Sequence, residues 1–550
     1  MGAVASKLSN LIFKEDEWRL EQPETTFTGT PIEPVKKGLP LKVESLCPEC
    51  LTIIEATKLE EDGKVIMRKT CPEHGDFQDT LYSDARLYYK VEEWNFGDNR
   101  GVTNPGVTNA KTCPSQCGLC NMHTSHTGLA NIDLTNRCNL TCPICFANAN
   151  TAGYLYEATL EEVRKMLQVG RDMKPVNART VQFSGGEPTI YPHFFEALKM
   201  AREMGYSHIQ IATNGILFND VEFAQRAKES GLHTLYLQLD GVGDETYQKT
   251  RGERLWDIKL KAIENCRKAD LKIVFVPTIV KGFNDDQIGN IVRLAIANID
   301  ILSGIAFQPV SFVGRISKKD LEAKRFTVSD LARCVAEQTG LTNDVDDWFP
   351  LSCVQPFSRL ISALKGDPTT HLSCHPHCSI GTYIYVAEDK TGIPITRFID
   401  VGPMLKEVDM LSRRSTKTFS KLYTELKAWN ALKKYYHQDR APNGLTFEKF
   451  VLSVQGMIDK KVGRGEIGIK TYKALLVAGM HFMDAYNYEV ERVKRCVIHY
   501  IAPNGLLYPF CAYNGGKVFR NIIEKKYSMP LPDKEQKTHS GPCRFDMTSE

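Results

Sequence analysis

The chain has no apolar run approaching the roughly 18–20 residues that cross a bilayer, so no membrane-spanning helix is expected. It has little net charge: 69 Lys and Arg against 66 Asp and Glu leave +3 over 550 residues. So small a surplus gives no basis for a nucleic-acid groove or a broad polybasic membrane face. The N-terminus lacks the basic start, apolar core and small-residue cleavage site of an export signal. Met1-Gly2-Ala3-Val4-Ala5-Ser6 fits only the loose pattern for N-myristoylation. Cysteine, at 17 residues, is too sparse and too clustered for a disulfide scaffold. Clustered thiols without export point to bound metal in a reducing cytoplasm. Cys266 and Cys334 stand alone in helical patterns and read as buried small residues.

The length allows two to four domains. Residues 1–40 read as a leader, with Val4, Leu8, Leu11 and Ile12 at helical spacing and Phe13 and Trp18 nearby. Such a helix docks on the protein's own core or lies on a bilayer surface. Residues 41–126 form a cysteine-rich unit. Cys47-Pro-Glu-Cys50 and Cys71-Pro-Glu-His74 read as two metal knuckles around a hairpin that turns at Glu61-Asp62-Gly63. Cys47, Cys50, Cys71 and His74 would hold a mononuclear zinc or rubredoxin-type iron. Cys117 and Cys120 form a third knuckle that offers another source for the fourth ligand.

Residues 127–320 alternate strand and helix, the mark of a parallel sheet with crossover helices. Strands are predicted at Ala130–Thr135, Thr180–Ser184, His208–Thr213, Thr234–Asp240, Lys272–Ile279 and Ile305–Phe312. Helices are predicted between them, at Thr159–Met173, His193–Met204 and Leu255–Ala269. Six units suggest an α/β fold with an open or partial (β/α)6 barrel, whose chemistry sits at the C-terminal strand ends.

The first strand runs into Cys138, Cys142 and Cys145, spaced Cys-x3-Cys-x2-Cys. A cubane 4Fe–4S cluster normally takes four cysteines. Three leave one iron open, an arrangement suited to S-adenosylmethionine (SAM) held by its amino and carboxylate groups. A zinc knuckle or partial ferredoxin site is the plainer alternative. Gly185, Gly186, Glu187 and Pro188 end the second strand, and paired glycines let backbone approach a ligand closely. Asn214, Gln238, Asp240, Thr278 and Gln308 sit at or near later strand ends and are further candidates for holding SAM.

Residues 321–550 read as mainly helical, with Cys353, Cys374 and Cys378 in one group and Cys496, Cys511 and Cys543 in another. Near Cys496 and Cys511, a strand pair is expected to turn at Pro503-Asn504-Gly505. Cys113, Cys117 and Cys120 repeat the x3, x2 spacing upstream of the core. These nine cysteines favour two auxiliary 4Fe–4S clusters, with the ninth able to replace His74 at the mononuclear site. Structural zinc or free thiols are the alternative, and spacing does not settle the pairing.

The region Ala130–Phe312 resembles the radical SAM core, with one departure. The residue before the third cysteine is often aromatic in that superfamily; here it is Ile144, followed after the cysteine by Phe146. From the Cys47 knuckle to Asn514, the chain resembles archaeal tetraether synthase and its relatives. The phrases carrying this are Lys69–Gly75, Ser125–Ala130 and Thr135–Asn148. That resemblance implies auxiliary clusters, a rubredoxin-like iron site and the coupling of two lipid tails at their methyl carbons. It implies a membrane-lipid substrate and an external electron donor of the ferredoxin or flavodoxin type, in a cytoplasmic protein with peripheral contact to the inner membrane face as an alternative. An apolar channel walled by residues such as Leu475, Leu476, Met480, Phe482 and Met483 would then be expected. The alternative is a radical SAM enzyme on a small soluble substrate, such as methylation of a pterin, since the core alone does not choose the substrate. A non-catalytic electron-transfer or metal-storage protein has no use for an open iron beside Gly185-Gly186-Glu187.

Overall fold

A computed structural model describes residues 34–96, 101–147, 149–313, 321–365, 368–415, 421–458, 473–515 and 519–530. The predicted leader helix and Cys543 lie outside the described residues. Strands β1 (Leu41–Leu46), β2 (Ile53–Glu61), β3 (Lys64–Cys71) and β4 (Gly75–Tyr82) form an antiparallel meander in that order. The β2–β3 turn is the predicted one. Asp62 and Gly63 take φ of 51° and 72°, the left-handed pair that a two-residue hairpin of this twist requires.

The predicted core strands are present, with ends shifted by a few residues. They are β5 (Leu129–Thr135), β6 (Thr180–Gly185), β7 (His208–Thr213), β8 (Thr234–Gln238), β9 (Lys272–Val276) and β10 (Leu302–Pro309). Neighbours in sequence are neighbours in the sheet, all parallel. The crossover helices include Leu160–Asp172, whose first turn is closed by a reciprocal Thr159–Glu162 capping box.

Among the described residues the C-terminal region holds more helix than strand, as expected, but it is not helical throughout. It supplies β11 (Ser379–Val386), β12 (Gly392–Pro394), β13 (Ala474–Met480), β14 (Ile498–Ile501) and β15 (Leu507–Pro509) to the same sheet. The sheet order is β12-β11-β13-β10-β9-β8-β7-β6-β5-β14-β15. β13 joins β10 in parallel, and β14 joins β5 in parallel. Chain after residue 320 therefore extends both edges of the six-stranded set. Leu475, Leu476 and Met480 belong to β13, and Leu475 is sealed in the core. A seven-residue apolar run does not declare helix or strand by its periodicity; here pairing with β10 and β11 makes it a strand.

Just past these edges, Phe482 after β13 stacks on Phe510 after β15, with ring centroids 4.0 Å apart. Two distant edge segments of the sheet therefore meet at the strand-end mouth. The meander is bolted to the core by buried polar contacts. Lys58 pairs with Glu489 at 2.9 Å, and Lys69 donates to the Ala485 carbonyl at 2.7 Å. Arg325 bridges Asp79 of β4 and Asp484. No helix among the described residues is long and apolar enough to cross a membrane.

Candidate active site and metal centre

The meander's two knuckles converge. One ligand atom from each of Cys47, Cys50, Cys71 and His74 lies within 4.8 Å of the others. Cys50 and Cys71 sulfurs are 3.9 Å apart, and the Cys71 sulfur is 3.5 Å from His74 Nδ1. A tetrahedral zinc with Zn–S of about 2.3 Å and Zn–N of about 2.0 Å needs edges near these lengths. The Thr52 hydroxyl beside Cys50 holds that thiol down at about 6, so the thiolate a metal needs is already favoured. His74 completes the set, in place of the Cys117/Cys120 alternative.

At the strand ends, a cavity of about 230 Å³ is bordered by Cys138, Cys142 and Cys145. The loop that carries them is held from three sides. Asn150 accepts from the Cys138 N–H at 2.9 Å and donates to its carbonyl at 2.7 Å. Gly186 N–H donates to the Thr135 carbonyl and Glu187 N–H to the Arg137 carbonyl, each at 2.7 Å. Side chains at the two glycines are excluded by this contact. A Cβ on Gly185 would lie 2.2 Å from the Thr135 oxygen, and one on Gly186 would lie 2.0 Å from the Arg137 oxygen. The glycine pair thus lets β6 clamp the cysteine loop.

Arg251 is the third restraint, and sequence reasoning missed it. Its guanidinium is bidentate on Asp240 at 2.6 and 2.9 Å and donates to the Ile144 carbonyl at 3.1 Å. Burial pushes the Cys142 thiol up, and neighbouring Arg251 draws it back down. The Cys138 thiol is also pushed up by burial, with Glu187 adding to the effect. Thiols raised in this way become stable thiolates only when a cation takes their charge, which suits an iron–sulfur cluster.

Gly185, Gly186, Glu187, Asn214, Gln238, Thr278 and Gln308 border the same cavity as expected. Pro188 does not: it opens a short 3-10 turn, Pro188–Ile190, away from the lining. Asp240 is fully buried and engaged with Arg251, so it supports the site from behind. The Glu187 carboxylate accepts from Thr189 N–H and hydroxyl, the Thr213 hydroxyl and Asn214 N–H, at 2.6–3.1 Å. It staples the ends of β6 and β7 and has little capacity left for a ligand amine. Lys259, also missed from sequence, is fully buried and donates to the Asn214 carbonyl and the Gln238 amide oxygen.

The other cysteines fall around one shared region. Burial, Cys117 and Cys120 raise the Cys113 thiol, so these three are neighbours. Cys378 acts on Cys374, which also feels Cys353. Cys378 equally acts on Cys496 and Cys511, where Arg492 sits among the thiols. The two C-terminal groups expected from spacing therefore meet at Cys378. Fully buried Tyr488 feels Cys113 and Cys117 as well as Cys511 and Cys496, placing both sets around one side chain. Cys266 is sealed in the core as expected, and Cys334 packs against it half-buried.

The strand-end thiol triad, the glycine clamp and the parallel sheet define a radical SAM protein. The Radical SAM superfamily model matches residues 132–295, and the HMPTM N-terminal zinc ribbon domain model matches residues 39–83. A 7,8-dihydro-6-hydroxymethylpterin dimethyltransferase from Methanocaldococcus jannaschii is 43% identical over 501 residues, covering 90% of this chain and 96% of the relative. An Fe-coproporphyrin III synthase from Methanosarcina barkeri is 35% identical over 150 residues, covering 27% of this chain and 36% of that protein. Among solved structures, Streptococcus suis SuiB bound to S-adenosylmethionine is 20% identical, with a TM-score of 0.31 over 38% of this chain and 43% of that one. The chain belongs to the radical SAM superfamily and, within it, to the family of the 7,8-dihydro-6-hydroxymethylpterin dimethyltransferase. Its cofactors are SAM and a 4Fe–4S cluster, and the ribbon set fits a zinc ion. The expectation of lipid-tail coupling, with its membrane-lipid partner, is overturned by the pterin dimethyltransferase relative, which instead favours the alternative of pterin methylation.

Proposed function

We propose that this chain is a radical SAM methyltransferase acting on a reduced pterin, 7,8-dihydro-6-hydroxymethylpterin being the compound named for its relative. The observation that carries the reading is the extent of that match, which takes in 90% of the chain. The cavity is consistent with it. Gln182, Ser184 and Asn514 offer polar groups, while Phe146 and Phe510 offer ring faces. A flat heterocycle with several donors and acceptors needs both.

When bound, the cluster and SAM would supply a radical able to remove a hydrogen atom from a carbon of the substrate. The chain's own part is placement. Cys138, Cys142 and Cys145 would ligate the cluster, with the loop held by Gly185, Gly186 and Arg251. Asn214, Gln238, Thr278 and Gln308 would surround SAM; Lys259 and the Glu187 staple hold Asn214 and Gln238 in position, and Asp240 holds the Thr278 N–H. The stacked Phe482 and Phe510 would narrow the mouth and limit water. Cys113, Cys117 and Cys120, together with Cys353, Cys374, Cys378, Cys496 and Cys511, are the candidate ligands for auxiliary clusters. On this reading, residues 41–126 are the metal-binding unit, residues 127–320 the radical core, and the chain beyond 320 completes the core sheet and supplies further thiols.

The test is anaerobic incubation of the reduced holoenzyme with SAM and 7,8-dihydro-6-hydroxymethylpterin, followed by mass spectrometry of the pterin. The expected result is a pterin that has gained one or two methyl groups. Recovery of unmodified pterin while SAM is cleaved would overturn the proposal.

A further inference from the structure

A row of side-chain amides crosses the core beside the cavity. Asn131 on β5 lies in register with Gln182 on β6, and Gln182 with Gln210 on β7. Gln210 donates to the Gln182 amide oxygen at 2.8 Å, and Gln182 donates to the Asn131 amide oxygen at 2.9 Å. The chain of donation runs one way and fixes which end of Gln182 is oxygen and which is nitrogen. Asn131 and Gln210 are buried, whereas Gln182 is half-buried and lines the cavity. A primary amide has two N–H bonds and two lone pairs. The row uses one of each, which leaves Gln182 with one donor and one acceptor in fixed order.

The amide row continues into an aromatic wall. Asn131 is in register with Tyr500 on β14, which also borders the cavity. The Asn131 Nδ2 has no partner among the described residues, so the row ends in an unused donor between two lining residues. Tyr500 lies 5.6 Å from Phe510, and Phe510 lies 6.0 Å from Phe146, which is 40% exposed.

We propose that Gln182 is the specificity-determining residue for the substrate ring: it reads a lactam edge, an adjacent C=O and N–H, while Phe510 and Phe146 take the ring face. This rests on the pterin reading, since a 4-oxopterin presents such an edge. The alternation of donor and acceptor is the information read. A site built to hydrogen-bond a polar group rejects an analogue lacking it far more strongly than an apolar pocket rejects a change of size.

The experiment measures equilibrium binding of 7,8-dihydro-6-hydroxymethylpterin and of 2,4-diamino-6-hydroxymethylpteridine to the full-length holoenzyme under anaerobic conditions. The iron–sulfur absorbance and the unfolding midpoint serve as integrity controls. The wild type is expected to prefer the 4-oxo compound, and Gln182→Leu to bind it about 10-fold or more weakly with both controls intact. Gln182→Glu, which keeps acceptors but removes the N–H, finds one donor on either compound and is expected to erase the preference for the 4-oxo compound. A residue with only a packing role would leave that preference in place when replaced by the near-isosteric Glu. If the wild type binds the 4-oxo pterin and Gln182→Leu binds it equally well, or Gln182→Glu leaves the preference unchanged, the role of Gln182 is refuted and the pterin reading stands. If the wild type binds neither compound, both are refuted.

Discussion

In the ribbon, Cys47, Cys50, Cys71 and His74 hold four ligand atoms within 4.8 Å of one another. At the strand ends, Cys138, Cys142 and Cys145 come from a single loop that contributes three thiols and borders an open cavity. The ribbon site is closed in the manner of a structural zinc: four protein ligands leave no position for substrate. The strand-end site leaves a position free, and its surroundings do what a fourth ligand would do for geometry. Asn150, the glycine clamp and Arg251 fix the loop from outside. A closed site can be assembled by two knuckles and a hairpin, whereas an open one needs the rest of the fold to hold it still.

The difference predicts unequal responses to ligand loss. Cys142→Ala is expected to abolish reductive SAM cleavage and remove the strand-end iron–sulfur absorbance while the ribbon keeps its metal. His74→Ala is expected to do the reverse: metal analysis should show one ion lost, with the strand-end absorbance retained. If both variants lost both centres, the two sites would not be separable.

The clamp is the next test. Gly186→Ala would push a methyl group against the Arg137 carbonyl, costing about 1–3 kcal/mol of local packing. Because the displaced backbone carries the cysteine loop, SAM cleavage should fall about 100-fold or more, more than the drop in unfolding midpoint would suggest. Gly75→Ala in the ribbon meets nothing within 4 Å. Its left-handed backbone at φ +77° should still cost stability, but not SAM cleavage.

The smallest effect concerns the buried ammonium beside the strand-end cavity. Burial holds the Lys259 ammonium down at about 7, with Asp240 opposing the shift. An unfolded lysine keeps its proton to about 10.4. Between these values the unfolded chain binds more protons, so stability rises with pH by at most about 1.4 kcal/mol per unit from this group. Lys259→Met should flatten that rise, as read from urea midpoints between pH 7 and 9. Equal slopes in wild type and variant would show that Lys259 is not held as a depressed cation.

Legibility in the sequence followed the range of the contacts. The six core strands were visible because each apolar run ends in a polar, glycine-bearing or cysteine-bearing phrase. Of the C-terminal strands, the β14–β15 pair was legible from its Pro503-Asn504-Gly505 turn, whereas β13 was not, because Ala474–Met480 is short and apolar throughout, and its strand partners lie far away in sequence. Arg251 and Lys259 looked like ordinary cations on polar helices, and only the packing of those helices turns them inward. Glu187 looked like a ligand to SAM, but the hydrogen bonds that occupy it come partly from Thr213 and Asn214 at the next strand end.

What the sequence determined by itself was the inventory: two knuckles, a three-cysteine loop after a strand, and a glycine pair one crossover later. Those features depend on residues within a few positions of one another, where spacing alone constrains geometry. The tertiary structure decided which cysteines share a neighbourhood, that Cys378 meets Cys496 and Cys511, and that Asn131, Gln182 and Gln210 form one row. These contacts join segments tens to hundreds of residues apart, and no local period encodes a pairing that is set only when the sheet assembles.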